Sequence, residues 1–244
     1  MIAYNGYQHS YVLFSGGIDS TTCLVKALTY HEKHGGKVIP VSMDYGQRHR
    51  KEIEMAAKVC EYYKVQHHIV DIRGALGSNS MLTDSTQEIP DISYDEIEGI
   101  SPTYVPFRNG FMLAKLAAIA QEYVMFVKDT YPGMTTEDLV TLYIGAHAED
   151  AKNWAYPDCT PEFIGAMSNA IYIGTYRSVR LLAPFLYSSK SDILRVGERL
   201  DAPYHLTWSC YAGGEVHCGT CPTCRARKTA FSEACIKDPT EYAA

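Results

Sequence analysis

The sequence predicts an α/β fold built on a parallel sheet, and two neighbouring stretches carry that prediction. An apolar run, Tyr11-Val12-Leu13-Phe14, turns through Gly16-Gly17 into a helical run, Thr21 to Leu28. A second apolar run, Lys37 to Met43, follows after Gly35-Gly36 closes that helix. Strand, helix and strand at this spacing make a right-handed βαβ unit with parallel strands. Ligands in such sheets sit beyond the carboxyl ends of the strands. The loops Ser15 to Ser20 and Asp44 to His49 are therefore expected to line one crevice.

The stretch Ser15-Gly16-Gly17-Ile18-Asp19-Ser20 organises the rest. Its glycines permit positive φ and close approach to a ligand. Free backbone N–H groups and the dipole at the helix start favour an anion, and Ser15 and Ser20 add hydroxyls. The usual phosphate loop, with Gly-Lys-Ser/Thr at its end, is absent, and so is the Gly-x-Ser-x-Gly nucleophile elbow.

Further along, Lys51 to Tyr63 has apolar residues at helical spacing. Gln66 to Ile72 reads as a third strand; His67 and His68 then face opposite ways, which argues against metal ligation. Residues 73–104 lack a period and form a long loop, either a functional cover or a mobile one. Pro106 ends an extended run, and Arg108 and Asn109 open a helix reaching about Val127. Arg108 is a candidate partner for a phosphate or a carboxylate. Lys128 to Glu137 reads as a loop, Leu139 to Gly145 as the fourth strand, and Arg180 to Pro184 as the fifth. Between them Tyr156 to Phe163 precedes a helix to about Ile173. Ser188 and Ser189 are candidate caps of the next helix, and Lys190 stands at its start, where the dipole disfavours a cation; an anion nearby would explain it.

A chain of 244 residues suits one large domain with an appendage, here residues 1–204 and a four-cysteine segment over 205–244. The net charge of −6 argues against a general nucleic-acid binder, although Arg225, Arg227 and Lys228 form a local patch able to take one anion. No apolar stretch reads as a membrane span, and the start lacks the pattern of a signal peptide, so a cytoplasmic location is expected. There, cysteines suggest metal or catalysis before disulfides. Cys23 and Cys60 fall in helical patterns and read as core. Cys210, Cys218, Cys221 and Cys224 lie within fifteen residues and can surround one tetrahedral Zn²⁺, a closed and hence structural site. An iron–sulfur cluster is the rival; its usual run has a fourth cysteine shortly after the third, and here Arg225-Ala226-Arg227 follows without one, which favours zinc.

The run Ser15 to Ser20 resembles the SGGxDS signature of the PP-loop ATP pyrophosphatases. Together with DYGQRH, VPFRN, GAHAEDA, YPDCTPEF and the C-x7-C-x2-C-x2-C spacing, it is similar to the 7-cyano-7-deazaguanine synthase (QueC) family from about residue 10 to residue 235. The resemblance implies a Rossmann-like doubly wound sheet, an adenine nucleotide alpha hydrolase-like domain with a zinc-bearing C-terminal segment, often as a homodimer. It implies conversion of 7-carboxy-7-deazaguanine into its nitrile with ammonia, ATP and Mg²⁺. Carried over by position, Ser15, Gly16, Gly17, Asp19 and Ser20 would bind ATP phosphates, and Asp44, Gln47 and Arg48 would line the nucleotide side, with Lys190 added. Arg108 and Asn109 would match the family's VPGRN tail, and Tyr156, Asp158 and Cys159 would border the deazaguanine. Asp19, Arg108 and Asp158 are the candidate catalytic residues, Asp19 or Asp44 the candidate Mg²⁺ holder. No covalent nucleophile is required, and Cys159 reads as a lining thiol.

Two positions depart from the family: Phe107 where it usually has Gly, and Thr160 where it usually has Arg. Both are expected to border the substrate. Residues 125–137 also look long. These departures keep open a QueC-like ligase that passes the carboxylate to another amine, such as a partner protein's N-terminus, as associated with antiphage defence. A tRNA thiolation enzyme and a non-enzymatic nucleotide- or RNA-binding module are lesser alternatives.

Overall fold

The computed structural model describes residues 8–48, 50–77, 80–84, 86–92, 96–97 and 99–243. His49 of the DYGQRH run, the opening residues 1–7 and part of the acidic run 91–98 lie outside the described residues.

Five strands, β1 (His9–Leu13), β2 (Lys37–Asp44), β3 (His68–Asp71), β4 (Val140–Tyr143) and β5 (Val179–Leu182), form one parallel sheet in the order β3-β2-β1-β4-β5. Around it lie α1 (Ile18–His34), α2 (Lys51–Tyr62), α3 (Arg108–Thr130), α4 (Pro161–Gly174), α5 (Lys190–Arg199) and α6 (Pro222–Ala234). Successive strand residues face opposite ways, which divides the core in two. Tyr11 and Leu142 join Leu113 and Leu116 of α3 and Ile164 of α4 on one face. Val12 and Tyr143 join Leu24, Val59, Ile193 and Phe231 of α1, α2, α5 and α6 on the other. This is the doubly wound fold. Strand order reverses between β1 and β4, so the crevice opens there rather than between the loops after β1 and β2 alone.

Cys23 and Cys60 are core residues, as expected. His67 bonds the Ser42 hydroxyl at 2.7 Å while its neighbour His68 is exposed. The helix expected to end near Val127 continues to Thr130, because the chain can turn only where Tyr131 meets Pro132. By length and composition α3 could cross a membrane, contrary to the reading that no stretch resembles a span. Its apolarity has another cause: Leu113, Leu116, Ala120 and Val124 are buried against the sheet.

The long loop after β3 is tied down in part by Arg48, whose guanidinium donates to Gln87 O at 2.5 Å and Met81 O at 3.4 Å. The basic patch near the C-terminus is not a free anion site. Arg225 is paired with Asp91, buried Arg227 with Asp238, and Lys228 donates to Gly219 O.

Thr160 is the N-cap of α4: its Oγ1 accepts from Phe163 N at 3.2 Å. A capping role differs from the substrate-bordering role expected of it. Thr160→Ala is expected to cost about 1 kcal/mol in a denaturant melt and to leave the KM for any substrate unchanged.

Candidate functional site

The loop from Ser15 to Ser20 leaves β1 and opens α1. Gly16 has φ +77°, and a Cβ there would stand 2.9 Å from both Glu52 O and Ala56 N, so α2 packs directly on the loop. Gly145, at the end of β4, plays the matching part: a Cβ would stand 2.9 Å from Ser20 N. Thus two backbones close on the start of α1 from either side. Ser15 Oγ and Ser20 Oγ are 3.0 Å apart, and among the described residues no side chain caps the helix at Gly17, which leaves its first N–H groups available to an anion.

Beneath the loop is a charged knot. Lys190 Nζ lies 3.5 Å from Asp19 Oδ2 and 3.9 Å from Asp150 Oδ1; His147 Nε2 lies 3.6 Å from Asp19 Oδ2 and 3.3 Å from Asp150 Oδ2. The carboxylates explain the cation at the start of α5. Burial alone would raise the Asp19 carboxyl, but Lys190 and His147 outweigh it and hold it below the ordinary carboxylate range. Burial opposes charge on His147 and Lys190 also, and their carboxylate neighbours reverse it, so both are raised. Asp19 Oδ1 is buried without a hydrogen-bond partner among the described residues.

A cavity of about 210 Å³ sits between this loop and α3. Ser15, Gly17, Asp19, Ser20, Gln47, Arg108, Asn109 and Cys159, all candidates from the sequence, line it. Arg108 donates to Tyr45 OH at 3.2 Å. Asp158 does not line it; its Oδ2 accepts from Asn109 N at 2.9 Å and so fixes the start of α3. Burial pushes the Cys159 thiol well up, consistent with a lining thiol and not a nucleophile.

Other candidates stand apart from the cavity wall. Asp44 accepts from Gly46 N at 3.1 Å and from Arg50 at 3.2 Å, shaping the turn into α2. Arg48 holds the long loop, and Tyr156 OH is bonded to Thr103 at 2.5 Å. Phe107 caps α3 with φ 55°, a left-handed conformation that suits glycine. Its ring is exposed and meets Phe163 edge-on at 5.6 Å, outside the cavity lining. Phe107→Gly is therefore expected to leave turnover essentially unchanged in steady-state assays.

Sequence reading missed Tyr45, Glu52, His147, Asp150 and Tyr211. Tyr45, His147 and Asp150 fall inside motifs already quoted, directly after strand ends, which was the available signal. Glu52 and Tyr211 had none: each reaches the cavity by packing of α2 and of the cysteine segment.

Cys210, Cys218, Cys221 and Cys224 place their sulfurs within 4.8 Å of one another, a group able to hold a metal ion. This segment touches the loop: Trp208 N donates to Gly16 O at 2.9 Å.

The family model described as queuosine biosynthesis protein QueC matches residues 9–235. The 7-cyano-7-deazaguanine synthase 2 of Desulfitobacterium hafniense is 40% identical over 237 residues, covering 95% of this chain and 91% of its own. The 7-cyano-7-deazaguanine synthase of Acetivibrio thermocellus is 39% identical over 240 residues, 96% of this chain and 98% of its own. That of Picrophilus torridus is 38% identical over 235 residues, 94% and 90% of the two chains. With its glycine-built loop at the β1/β4 reversal and its four gathered cysteines, this chain belongs to the QueC family.

Proposed function

We propose that this chain is an ATP-dependent carbon–nitrogen ligase that converts 7-carboxy-7-deazaguanine, through an acyl adenylate and an amide, into 7-cyano-7-deazaguanine. One observation carries the reading. The uncapped start of α1 faces Arg108 and Asn109 across a single cavity, in a chain about 40% identical along nearly its whole length to synthases of that name.

A carboxylate becomes an electrophile only when its oxygen is made a leaving group. In this reading the N–H groups after Ser15 and the Ser15 and Ser20 hydroxyls take the pyrophosphate portion of ATP, with Lys190 behind them. Such fixed donors stabilise the charge that develops on transfer without reorganising. Arg108 orients the substrate carboxylate toward the α-phosphate. The amine then displaces AMP to give the amide, and a second adenylation, on the amide oxygen, leads to the nitrile. Asp19 is the better holder of Mg²⁺, since its Oδ1 is buried without a partner while both oxygens of Asp44 are engaged. Bound there, Mg²⁺ would neutralise phosphate charge.

For the cysteines we favour a single structural Zn²⁺. Tetrahedral ligands at about 2.3 Å place sulfurs roughly 3.8 Å apart, and Cys218 Sγ and Cys224 Sγ are 3.9 Å apart. A four-iron cluster spreads its cysteines wider. The departures that kept another acceptor open lie outside the cavity lining, so ammonia is the acceptor we favour. A cytoplasmic homodimer completes the reading, with light scattering as its check.

The test is incubation with ATP, Mg²⁺, 7-carboxy-7-deazaguanine and ammonia, followed by mass analysis of every product. A free nitrile with two AMP per turnover is expected. An amide end product, a mass gain on a protein amine, or no ATP consumption would each replace this reading.

A further inference from the structure

The geometry points to Glu52 as the proton acceptor for the amine nitrogen, a role that rests on the ligase reading above. Glu52 is on the first turn of α2 and lines the cavity under the loop. It also lines a second cavity of about 120 Å³ that opens beside Trp208, Lys190 and Arg227. The two share Ser15, Gly17, Asp19, Asp150 and Tyr211 besides Glu52, so Glu52 is one of six residues that border both. In this proposal an amine reaches an activated carbonyl near Arg108 from the second cavity, which Glu52 borders and Arg108 does not.

Elimination singles it out among the titratable groups of the cavity. Asp19 and Asp150 are committed to Lys190 and His147. His147 is raised by those same carboxylates and does not line this cavity. Burial pushes Tyr45, Cys159 and Tyr211 up, so each keeps its proton. Arg108 is a permanent cation. Among the described residues, the Glu52 carboxylate makes no hydrogen bond or ion pair, although Arg108 from α3, Tyr45 after β2 and Tyr211 all lie within electrostatic reach of it. Burial raises it to about 7, against the opposing pull of Arg108. A base poised near the working pH combines ionisation with proton affinity. Two carboxyls of one site, Asp19 held low and Glu52 held high, thus divide the work: one stays charged and the other exchanges a proton.

The chemistry needs such a base more than once. As the amine lone pair forms the C–N bond, the bond from carbon to the AMP oxygen breaks, its electron pair leaves with AMP, and the surplus proton on nitrogen passes to Glu52. After the amide oxygen has taken AMP, nitrogen sheds two protons. One leaves the O-adenylated iminium. The second leaves as the carbon–oxygen bond breaks with its pair to AMP and the N–H pair becomes the third C–N bond. Between steps the carboxyl returns its proton to water through the second cavity.

The experiment compares wild type, Glu52→Gln and Glu52→Asp in two readouts: pyrophosphate–ATP exchange dependent on 7-carboxy-7-deazaguanine, and formation of amide and nitrile. Glu52→Gln is expected to keep exchange near the wild-type rate while product formation falls about 10²- to 10⁴-fold and adenylate accumulates. A carboxylate base must be ionised, so wild-type product formation is expected to decline as pH falls through about 7. With the free, unprotonated ammonia held constant across the pH series, that acid limb should persist in Glu52→Asp and vanish in Glu52→Gln. Exchange lost in parallel with product formation, or a Glu52→Gln enzyme retaining the wild-type rate and acid limb, overturns the role of Glu52 alone. A wild-type enzyme forming neither adenylate nor nitrile overturns the ligase reading, and this role with it.

Discussion

Gly16→Ala is expected to destabilise the protein and to abolish most turnover. Two costs add. An alanine at φ +77° pays about 1–2 kcal/mol for the left-handed conformation. Its Cβ would also stand 2.9 Å from Glu52 O and Ala56 N and 3.0 Å from Ala56 Cα. Those are backbone atoms of a helix whose Val59 and Cys60 are locked in the core, so relief requires moving α2 or the loop. Overpacking of this kind costs about 1–3 kcal/mol, which together with the conformational term lowers Tm by about 5–15 °C for a chain of this size. The catalytic loss should exceed the loss of stability, since a misplacement of about 1 Å in a positioning element can cost some 10²-fold in rate. Scanning calorimetry and ATP consumption measured well below the new Tm separate the two effects. An unshifted Tm with normal turnover would show that α2 does not close on the loop.

The second large effect is expected from removing the metal. Cys221→Ser, or a strong chelator, should release one equivalent of zinc and unfold the segment around Trp208. Structural zinc sites in small peptides carry apparent binding energies of about 10–16 kcal/mol, so even partial coupling lowers Tm by more than any single surface change. The report is optical as well as calorimetric. Trp208 is buried and Trp154 exposed, so unfolding of this segment should shift the emission of the buried tryptophan to the red. Activity should fall with the metal although no cysteine of the set lines the cavity, because Trp208 N holds Gly16 O and Tyr211 forms part of the wall. Protein isolated without zinc, with an unchanged Tm and full turnover, would refute the assignment; visible absorbance would replace zinc with iron–sulfur.

The charged knot shows why part of the site escaped one-dimensional reading. Lys190 at a helix start was conspicuous, since a cation there opposes the dipole, and an anion was inferred. Its identity was not: Asp19 comes from the first turn of α1 and Asp150 from the segment after β4, far away in sequence. Arg48 illustrates the converse. Its motif assigned it to the nucleotide, whereas in the structure its Nη1 donates to carbonyls of the loop after β3. The sequence cannot distinguish a guanidinium that binds a ligand from one that pins a loop, because both demand the same planar donors. Phe107 and Thr160 looked like changes to the pocket; in three dimensions one caps a helix in a left-handed conformation and the other caps one through its hydroxyl.

By itself the sequence determined the parallel sheet, the glycine turn that opens α1, the four-cysteine cluster and the family, because each depends on residues close together in the chain or on periods set by backbone geometry. Only the tertiary structure decided which carboxylates carry charge and which can exchange a proton. Those properties depend on burial and on neighbours brought in from other elements: Asp19 is paired by α5 and the loop after β4, whereas Glu52, without an ion pair among the described residues, borders two cavities.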